Sequence, residues 1–460
     1  MAHIYLSATN KSSGKTTLSI GLTRELRRRG YRVQPFKKGP DYIDPLWLTE
    51  AAGRACLNLD YHTTPAHEIR QSFAALLAES DLGLIEGNVG LFDSVDLHGS
   101  NSNAELVKLL GAPLVLVIDA QGMGRGIAPL LLGYQAFDPA LGIAGVILNK
   151  VGGDRHAANL RRVVEHYTDL PVVGSVPRLP SLGIEERHLG LIPSNEAGAT
   201  DAIVEHIRAA VAEHVDVERI AAIAAHAELP KVEPPDDLST GSGIAGPRVR
   251  IGIARDDAFG FYYPDDLAAL TRWGADLVPF SPVHDAELPE VDALFIGGGF
   301  PECRMRELDD NASMRASVVD FIGAGGPTYA ECGGLMYLAQ RLHWNGRSSD
   351  MCGVIPSDVA MHARPQGRGY VRLRETEAFP WPAGRVGQIS DVCAHEFHHS
   401  ALTDPDPCWV YAYDVKRGTG IDGKHDGLVQ RNLLASYAHL RDVGGVGWTE
   451  RFVSQIRATM

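Results

Sequence analysis

At 460 residues the chain exceeds what one ordinary hydrophobic core organises, so two domains are expected. Its 45% hydrophobic and 22% charged content is that of a soluble globular protein. The formal charge of -14 excludes a nucleic-acid surface as its main business, because phosphate backbones select basic patches. A local basic site for a polyanionic small molecule is not excluded. The N-terminal stretch MAHIYLSATN lacks the basic start and apolar core of a secretory signal, and no apolar run reaches the length of a membrane span. Six scattered cysteines (Cys56, Cys303, Cys332, Cys352, Cys393 and Cys408) form neither a C-x-x-C pair nor a dense framework. Reduced thiols in a cytoplasmic protein without a membrane partner are therefore expected.

The first half alternates apolar runs with amphipathic stretches. HIYLSA, YRVQPF, LGLIE, PLVLVID, IAGVILN and VVGSV read as strands with helical patterns between them. That βα rhythm predicts a mainly parallel, doubly wound sheet. Leu18, Leu22 and Leu26 share one face of the first helix, Arg27 to Arg29 suit its C-terminal end, and Gly30 can cap it. Around residues 228–247 the pattern stops in ELPKVEPPDDLSTGSGIAGP, a composition that cannot build a core. VRIGIA, PDDLAALTRWGA and ALFIGG then restart strand, helix and strand. The predicted plan is an α/β domain over 1–228, a linker over 229–247 and a second α/β domain over 248–460.

SATNKSSGKTT sits between the first strand and the first helix. The pattern G-x-x-x-x-G-K-[ST] wants a glycine where this chain has Thr9, so the first bend must be made differently. Backbone N–H groups of Ser12, Ser13, Gly14 and Thr17 can surround phosphates, Lys15 can reach the terminal ones, and the Thr16 hydroxyl can ligate Mg²⁺. QPFKKGPDYIDP places Asp41 and Asp44 after a strand, where oxygen ligands can hold Mg²⁺ while Lys37 and Lys38 face anions. The same residues also fit an ordinary acidic turn with Pro45 opening the next helix. LIEGNVGLFDS adds Glu86 at a strand end and Asp93 after a glycine turn, the place of a metal-holding carboxylate beside a phosphate loop. Together the three pieces favour a Mg–ATP site.

In PTYAECGGLMYL a strand leads into a sharp turn carrying Cys332, then Gly333 and Gly334, then a helix. Such an elbow exposes a nucleophile and aims helix N–H groups at it, which should lower the thiol pKa. FIGGGFPE supplies Gly298 and Gly299 for an oxyanion hole. The general base must be a histidine, with His395, His398, His399 and His439 as candidates.

The ordered set SSGKTT, QPFKKGPDYIDP, IEGNVGLFD, KLLGAPLVLVIDA, FIGGGFPE, AECGGLMYL, HEFHHS and NLLASYAHL resembles the cobyrinic acid a,c-diamide synthase family over essentially the whole chain. The resemblance implies a dethiobiotin-synthetase-like ATPase domain followed by a class I glutamine amidotransferase domain, and amidation of acetate side chains of modified tetrapyrroles. It assigns ATP phosphates and Mg²⁺ to Lys15 and Thr16, and metal-binding or phosphoryl-transfer roles to Asp41, Asp44, Glu86 and Asp93. Tyr42, Ile43 and Asp93 match substrate-side positions. Cys332 becomes the glutaminase nucleophile, His439 its base, and Gly298, Gly299 and Gly333 the oxyanion site. Many class I amidotransferases carry glutamate two residues past this histidine; here Arg441 stands there, which points to a Cys–His dyad. ATP and L-glutamine are the implied co-substrates, and the resemblance allows a homodimer.

The implied chemistry is carboxylate activation by ATP, then amidation by ammonia that Cys332 frees from glutamine, along a sheltered route. Relatives of the family amidate sirohydrochlorin, its nickel complex or sirohaem. Departures at GSNSNAELVKLL, Lys38, Ala394 and His399 keep those substrates as alternatives to cobyrinic acid. A dethiobiotin-synthetase-like ligase using free ammonia would leave Cys332 and His439 idle. A regulatory P-loop ATPase would leave the second half unexplained.

Overall fold

A computed structural model describes residues 1–179, 184, 186–187, 190–230, 232, 246–384 and 391–460, with backbone alone at 186, 187 and 190. The chain falls into two compact units, residues 1–236 and 237–460. Most of the expected linker lies outside the described residues.

The first unit runs β1 (Ala2–Ala8), α1 (Lys15–Arg28), β2 (Val33–Lys38), α2 (Ile43–Ala52), β3 (Leu57–Leu59), α3 (Ala66–Ala78) and β4 (Leu82–Glu86). It continues through α4 (Asn103–Leu110), β5 (Leu114–Asp119), α5 (Ile127–Phe137), β6 (Ile143–Val151), α6 (Asp154–Tyr167) and β7 (Val172–Pro177). A small hairpin of β8 (Glu186–Arg187) and β9 (Gly190–Leu191) precedes α7 (Thr200–His214) and α8 (Val217–Ala224). Seven strands form one sheet in the order β3-β2-β4-β1-β5-β6-β7, every pair parallel. Strands buried on both faces explain the continuous apolar runs read from the sequence. Only the three-residue β3 has no counterpart there, because LNL is too short to carry a period. α1 ends as its residues suggest: Gly30 takes φ 96°, and its N–H bonds the Arg27 carbonyl at 3.0 Å.

The second unit opens with β10 (Val249–Ala254), β11 (Phe259–Phe261), α9 (Pro264–Arg272), β12 (Ala275–Phe280), β13 (Ala293–Ile296) and β14 (Gly298–Gly299). A 3-10 turn at Pro301–Arg304 leads into α10 (Met305–Asp310), α11 (Ala312–Gly323), β15 (Thr328–Glu331) and α12 (Gly333–Leu338). Then follow β16 (Arg341–Trp344), β17 (Arg347–Asp350), β18 (Val359–Met361), β19 (Gly367–Glu375) and β20 (Val392–His398). The unit closes with β21 (Ser400–Leu402), β22 (Val410–Arg417), β23 (His425–Gln430), β24 (Leu433–Ser436) and α13 (Trp448–Thr459). Its main sheet has nine strands, β12-β10-β13-β15-β24-β23-β22-β19-β20. The side from β12 to β24 is parallel and the rest antiparallel. No helix among the described residues is long and apolar enough to cross a membrane.

Candidate active sites

In the first unit the site lies at the carboxyl ends of β1, β2 and β4, where an open α/β sheet gathers its ligands. Register puts it there: Glu86 pairs with Leu6 on one side and Lys37 on the other. The phosphate loop makes its bends at Ser12 (φ 61°) and Gly14 (φ 85°), while Thr9 needs no left-handed backbone. Thr9 is held instead by its N–H to the Val117 carbonyl and by the Tyr134 hydroxyl on its own carbonyl at 2.8 Å. The missing glycine is thus replaced by bracing from β5 and α5. Gly14 ends the loop without a side-chain cap, so the N-terminal N–H groups of α1, from Lys15 through the half-buried Thr17, remain an anion site. Asn149 and Lys150, at the end of β6, hold the Ser13 and Ser12 carbonyls at 2.8 Å each. Sequence reasoning missed both; the only signal was their place at a strand end beside a phosphate loop.

Thr16, Asp44 and Glu86 are brought together. The Thr16 hydroxyl lies 2.7 Å from Glu86 Oε1 and 3.2 Å from Asp44 Oδ2. Lys37 does not face a ligand anion as expected. Its Nζ is buried against Asp44 Oδ2 at 2.5 Å and Glu86 Oε1 at 2.8 Å, because β2 and β4 are paired at this level. Lys38 likewise turns inward, to Asn88 Oδ1 at 3.2 Å. Asp41 is half-buried and caps the start of α2 by accepting from the Ile43 N–H at 3.0 Å. α2 begins at Ile43, two residues before Pro45. The Asn58 side chain pins this turn through the Gly39 and Asp41 carbonyls.

Burial pushes the Asp44 carboxyl up, but the Lys37 ammonium outweighs it and holds Asp44 below the ordinary range. Asp41 is pushed up to about 8 by loss of water and by the Asp44 charge. Burial also raises Glu86. Lys15 is lowered to about 8 by burial and by Lys37, and its Nζ donates to the Val89 carbonyl at 2.6 Å. That carbonyl belongs to the loop after β4, which Asn103 supports through the Asn88 and Gly90 carbonyls. Asp93 braces the same loop by accepting from the Gly90 N–H at 2.7 Å. Tyr42 and Ile43, expected to face substrate, are only 8% and 7% exposed, so little of either side chain is left for one.

Among the described residues no three His, Cys, Asp or Glu side chains form a metal cluster. The donor set nevertheless suits Mg²⁺: hydroxyl and carboxylate oxygens only, with Glu86 Oε2 buried and lacking a hydrogen-bond partner among the described residues.

In the second unit Cys332 occupies the turn between β15 and α12 with φ 49° and ψ -100°, a strained position for a side-chain-bearing residue. The two glycines that follow are closely packed, and Gly334 has no room for a side chain. A Cβ on Gly334 would lie 2.1 Å from the Ile296 carbonyl oxygen, and one on Gly333 3.0 Å from the Gly299 nitrogen. Gly298 and Gly299 form β14, paired with Phe261 and Phe259 of β11. Tyr262 fixes the approach to that strand, its hydroxyl accepting from the Gly297 N–H at 2.9 Å and donating to the Ala254 carbonyl at 2.6 Å. A Cβ on Gly298 would stand 2.7 Å from His439 Cε1, so His439 lies against the proposed oxyanion strand.

The Cys332 thiol is pushed up, not down. Its burial and the Glu302 charge outweigh the Gly333 N–H that favours the thiolate, against the expectation drawn from the elbow alone. A base must therefore take its proton. The other histidines are engaged elsewhere: His398 Nδ1 with the Ser400 carbonyl, His399 Nδ1 with the His362 carbonyl, and His395 with the Tyr263 hydroxyl. His395 also stacks on His439, with ring centroids 4.9 Å apart. His439 has a carboxylate partner that sequence reasoning did not foresee. Its Nδ1 lies 3.2 Å from Glu331 Oε2. Arg441 turns away to Asp265 Oδ2 at 2.6 Å.

Residues 4–191 match the CobQ/CobB/MinD/ParA nucleotide binding domain family, and residues 250–441 the CobB/CobQ-like glutamine amidotransferase domain family. A nucleotide-binding unit joined to a glutamine amidotransferase unit defines an ATP-dependent carbon–nitrogen ligase that takes its nitrogen from glutamine. Three relatives are named cobyrinate a,c-diamide synthase. The protein of Magnetococcus marinus is 45% identical over 97% of this chain and 95% of its own. That of Methanosarcina acetivorans is 40% identical over 99% and 95%, and that of Archaeoglobus fulgidus 38% identical over 98% and 97%. The chain belongs to the cobyrinate a,c-diamide synthase family.

Proposed function

We propose that this protein amidates the a and c acetate side chains of cobyrinate, using ATP and L-glutamine, in the cytoplasm. The observation that carries the reading is the pairing, in one chain, of a phosphate loop beside buried carboxylates with a cysteine elbow that shares its end of the sheet with His439. Either alone would fit a simpler enzyme. The near full-length similarity to proteins named for this reaction supports the choice of substrate.

The α1 N-terminus and Lys15 hold the ATP phosphates, and Thr16, Asp44 and Glu86 would hold Mg²⁺. When bound, that ion neutralises phosphate charge. An acetate oxygen of the tetrapyrrole attacks the γ-phosphorus and ADP leaves, giving an acyl phosphate. Lys15, lowered by its surroundings, sits where charge develops on the transferred group. In the second unit His439 takes the Cys332 proton, and the thiolate attacks the glutamine amide carbon. His439 returns the proton to the departing nitrogen, and ammonia leaves a glutamyl thioester that water hydrolyses. Ammonia then displaces phosphate from the activated acetate.

Cys332→Ala tests the division of labour. It should abolish glutamine-dependent amidation and keep the rate with ammonium chloride. A variant that still uses glutamine at the parent rate would refute the second site.

A further inference from the structure

The position two residues past His439, where a glutamate was sought, carries Arg441, a cation that could not orient an imidazole N–H. Arg441 is bound to Asp265 and lies over the Tyr263 ring at 4.7 Å. The carboxylate beside His439 comes instead from the residue immediately before the nucleophile. Glu331 is the last residue of β15, and β15 pairs in parallel with β24 so that Glu331 stands opposite Ser436. The chain leaving β24 carries His439 three residues later. Adjacent parallel strands thus bring Cys332, Glu331 and His439 to one end of the sheet.

Glu331 is 2% exposed, and both of its oxygens are used. Oε2 faces His439 Nδ1 at 3.2 Å. Oε1 accepts from the Tyr329 hydroxyl at 2.5 Å and the Leu440 N–H at 3.0 Å. One side-chain hydroxyl and one backbone N–H thus hold Oε1, and Oε2 is the oxygen that meets the imidazole. A buried carboxylate with such partners fixes a histidine tautomer: Nδ1–H donates to Glu331, which leaves Nε2 as the acceptor.

We infer that Glu331 is the positioning residue of the glutaminase site, holding His439 in the proton-accepting tautomer. The inference rests on the reading of Cys332 and His439 as nucleophile and base. It separates this chain from enzymes whose third member follows the histidine, since here it is delivered by the nucleophile's own strand.

The test compares Glu331→Gln and Glu331→Asp with the parent enzyme, full chain, in glutamine-dependent and ammonia-dependent amidation. Glu331→Gln should lower glutamine-dependent kcat by about a hundredfold or more, as loss of a tautomer-fixing carboxylate does. The ammonia-dependent rate should stay within about twofold, and Glu331→Asp should recover much of the loss. If glutamine use stays within twofold of the parent, the inference is overturned. An equal fall in both activities, or a Glu331→Asp variant no better than Glu331→Gln, also overturns it by assigning Glu331 a structural role. If Glu331→Gln does not fold, Tyr329→Phe removes one of the two donors that aim the carboxylate. It should then cut glutamine use alone by about three- to tenfold, and an unchanged rate would refute the proposal. Failure of the underlying reading is distinguishable, because Cys332→Ala would then keep its glutamine activity.

Discussion

Lys37 gives the sharpest physical test of the first site. Its ammonium is buried between Asp44, itself 17% exposed, and Glu86, fully buried. Lys37→Met keeps the length of the side chain and removes the charge, leaving two neighbouring carboxylates without their cation. Breaking a buried pair on one side costs about 3–5 kcal/mol. For a unit of 236 residues, each kcal/mol moves the midpoint by about 2–4 °C, so the first thermal transition should fall by about 6–20 °C at pH 7.5 without Mg²⁺.

Two further arms follow from the same charges. With the ammonium gone, Mg²⁺ at about a hundred times the variant's Kd should return about 2.7 kcal/mol, and the same Mg²⁺ concentration should return less in the parent, where Lys37 competes for the carboxylates. The unpaired Glu86 carboxyl would titrate in the folded state well above its unfolded value of about 4.3. The folded protein then binds more protons than the unfolded one, so the deficit grows as pH rises above that value and shrinks towards pH 5. Scanning calorimetry with and without Mg²⁺ at pH 5 and 7.5 reads all three effects. A Lys37→Met midpoint within about 2 °C of the parent at pH 7.5 would refute the reasoning.

Other changes probe the loops that carry the chemistry. Gly298→Ala sets a methyl 2.7 Å from His439 Cε1 and should cut glutamine-dependent turnover by about a hundredfold while sparing ammonia-dependent turnover. Steady-state rates with each nitrogen source check it. Thr9→Gly restores the expected loop pattern, yet should leave the ATP Kd unchanged in calorimetric titration and cost about 1 kcal/mol through added chain freedom. Tyr262→Phe removes a buried hydroxyl that serves the Gly297 N–H and the Ala254 carbonyl. It should cost about 1–3 kcal/mol in urea unfolding of the second unit.

Much of this architecture was legible because its signals are local. The six apolar runs of the first half are buried strands, and the elbow glycines flank Cys332 where the pattern AECGG put them. The phosphate loop was legible as strand, turn and helix, but not its bracing. Tyr134 and Asn149 reach it from positions more than a hundred residues away, and no spacing rule links them to Thr9 or Ser13. Charge pairing was the hardest to read. Lys37 and Lys38 looked like ligand-facing cations, yet the register of β2 against β4 turns Lys37 onto Asp44 and Glu86. The same limit hid Glu331, adjacent in sequence to the nucleophile but brought to His439 only by the pairing of β15 with β24. The thiol expectation failed for a related reason. A helix N-terminus was visible in the sequence, whereas burial and the nearby Glu302 were not.

The central claim, amidation of cobyrinate acetates with nitrogen drawn from glutamine, is tested most directly by product mass spectrometry. The enzyme is incubated with ATP, Mg²⁺ and amide-¹⁵N glutamine beside cobyrinic acid, and in separate reactions beside sirohydrochlorin and sirohaem. The account predicts ¹⁵N-labelled mono- and diamides of cobyrinic acid, formed with stoichiometric ADP release. Labelled amides arising from sirohydrochlorin or sirohaem alone would contradict the substrate assignment. Unlabelled or absent amides in every reaction would contradict the account of the chemistry.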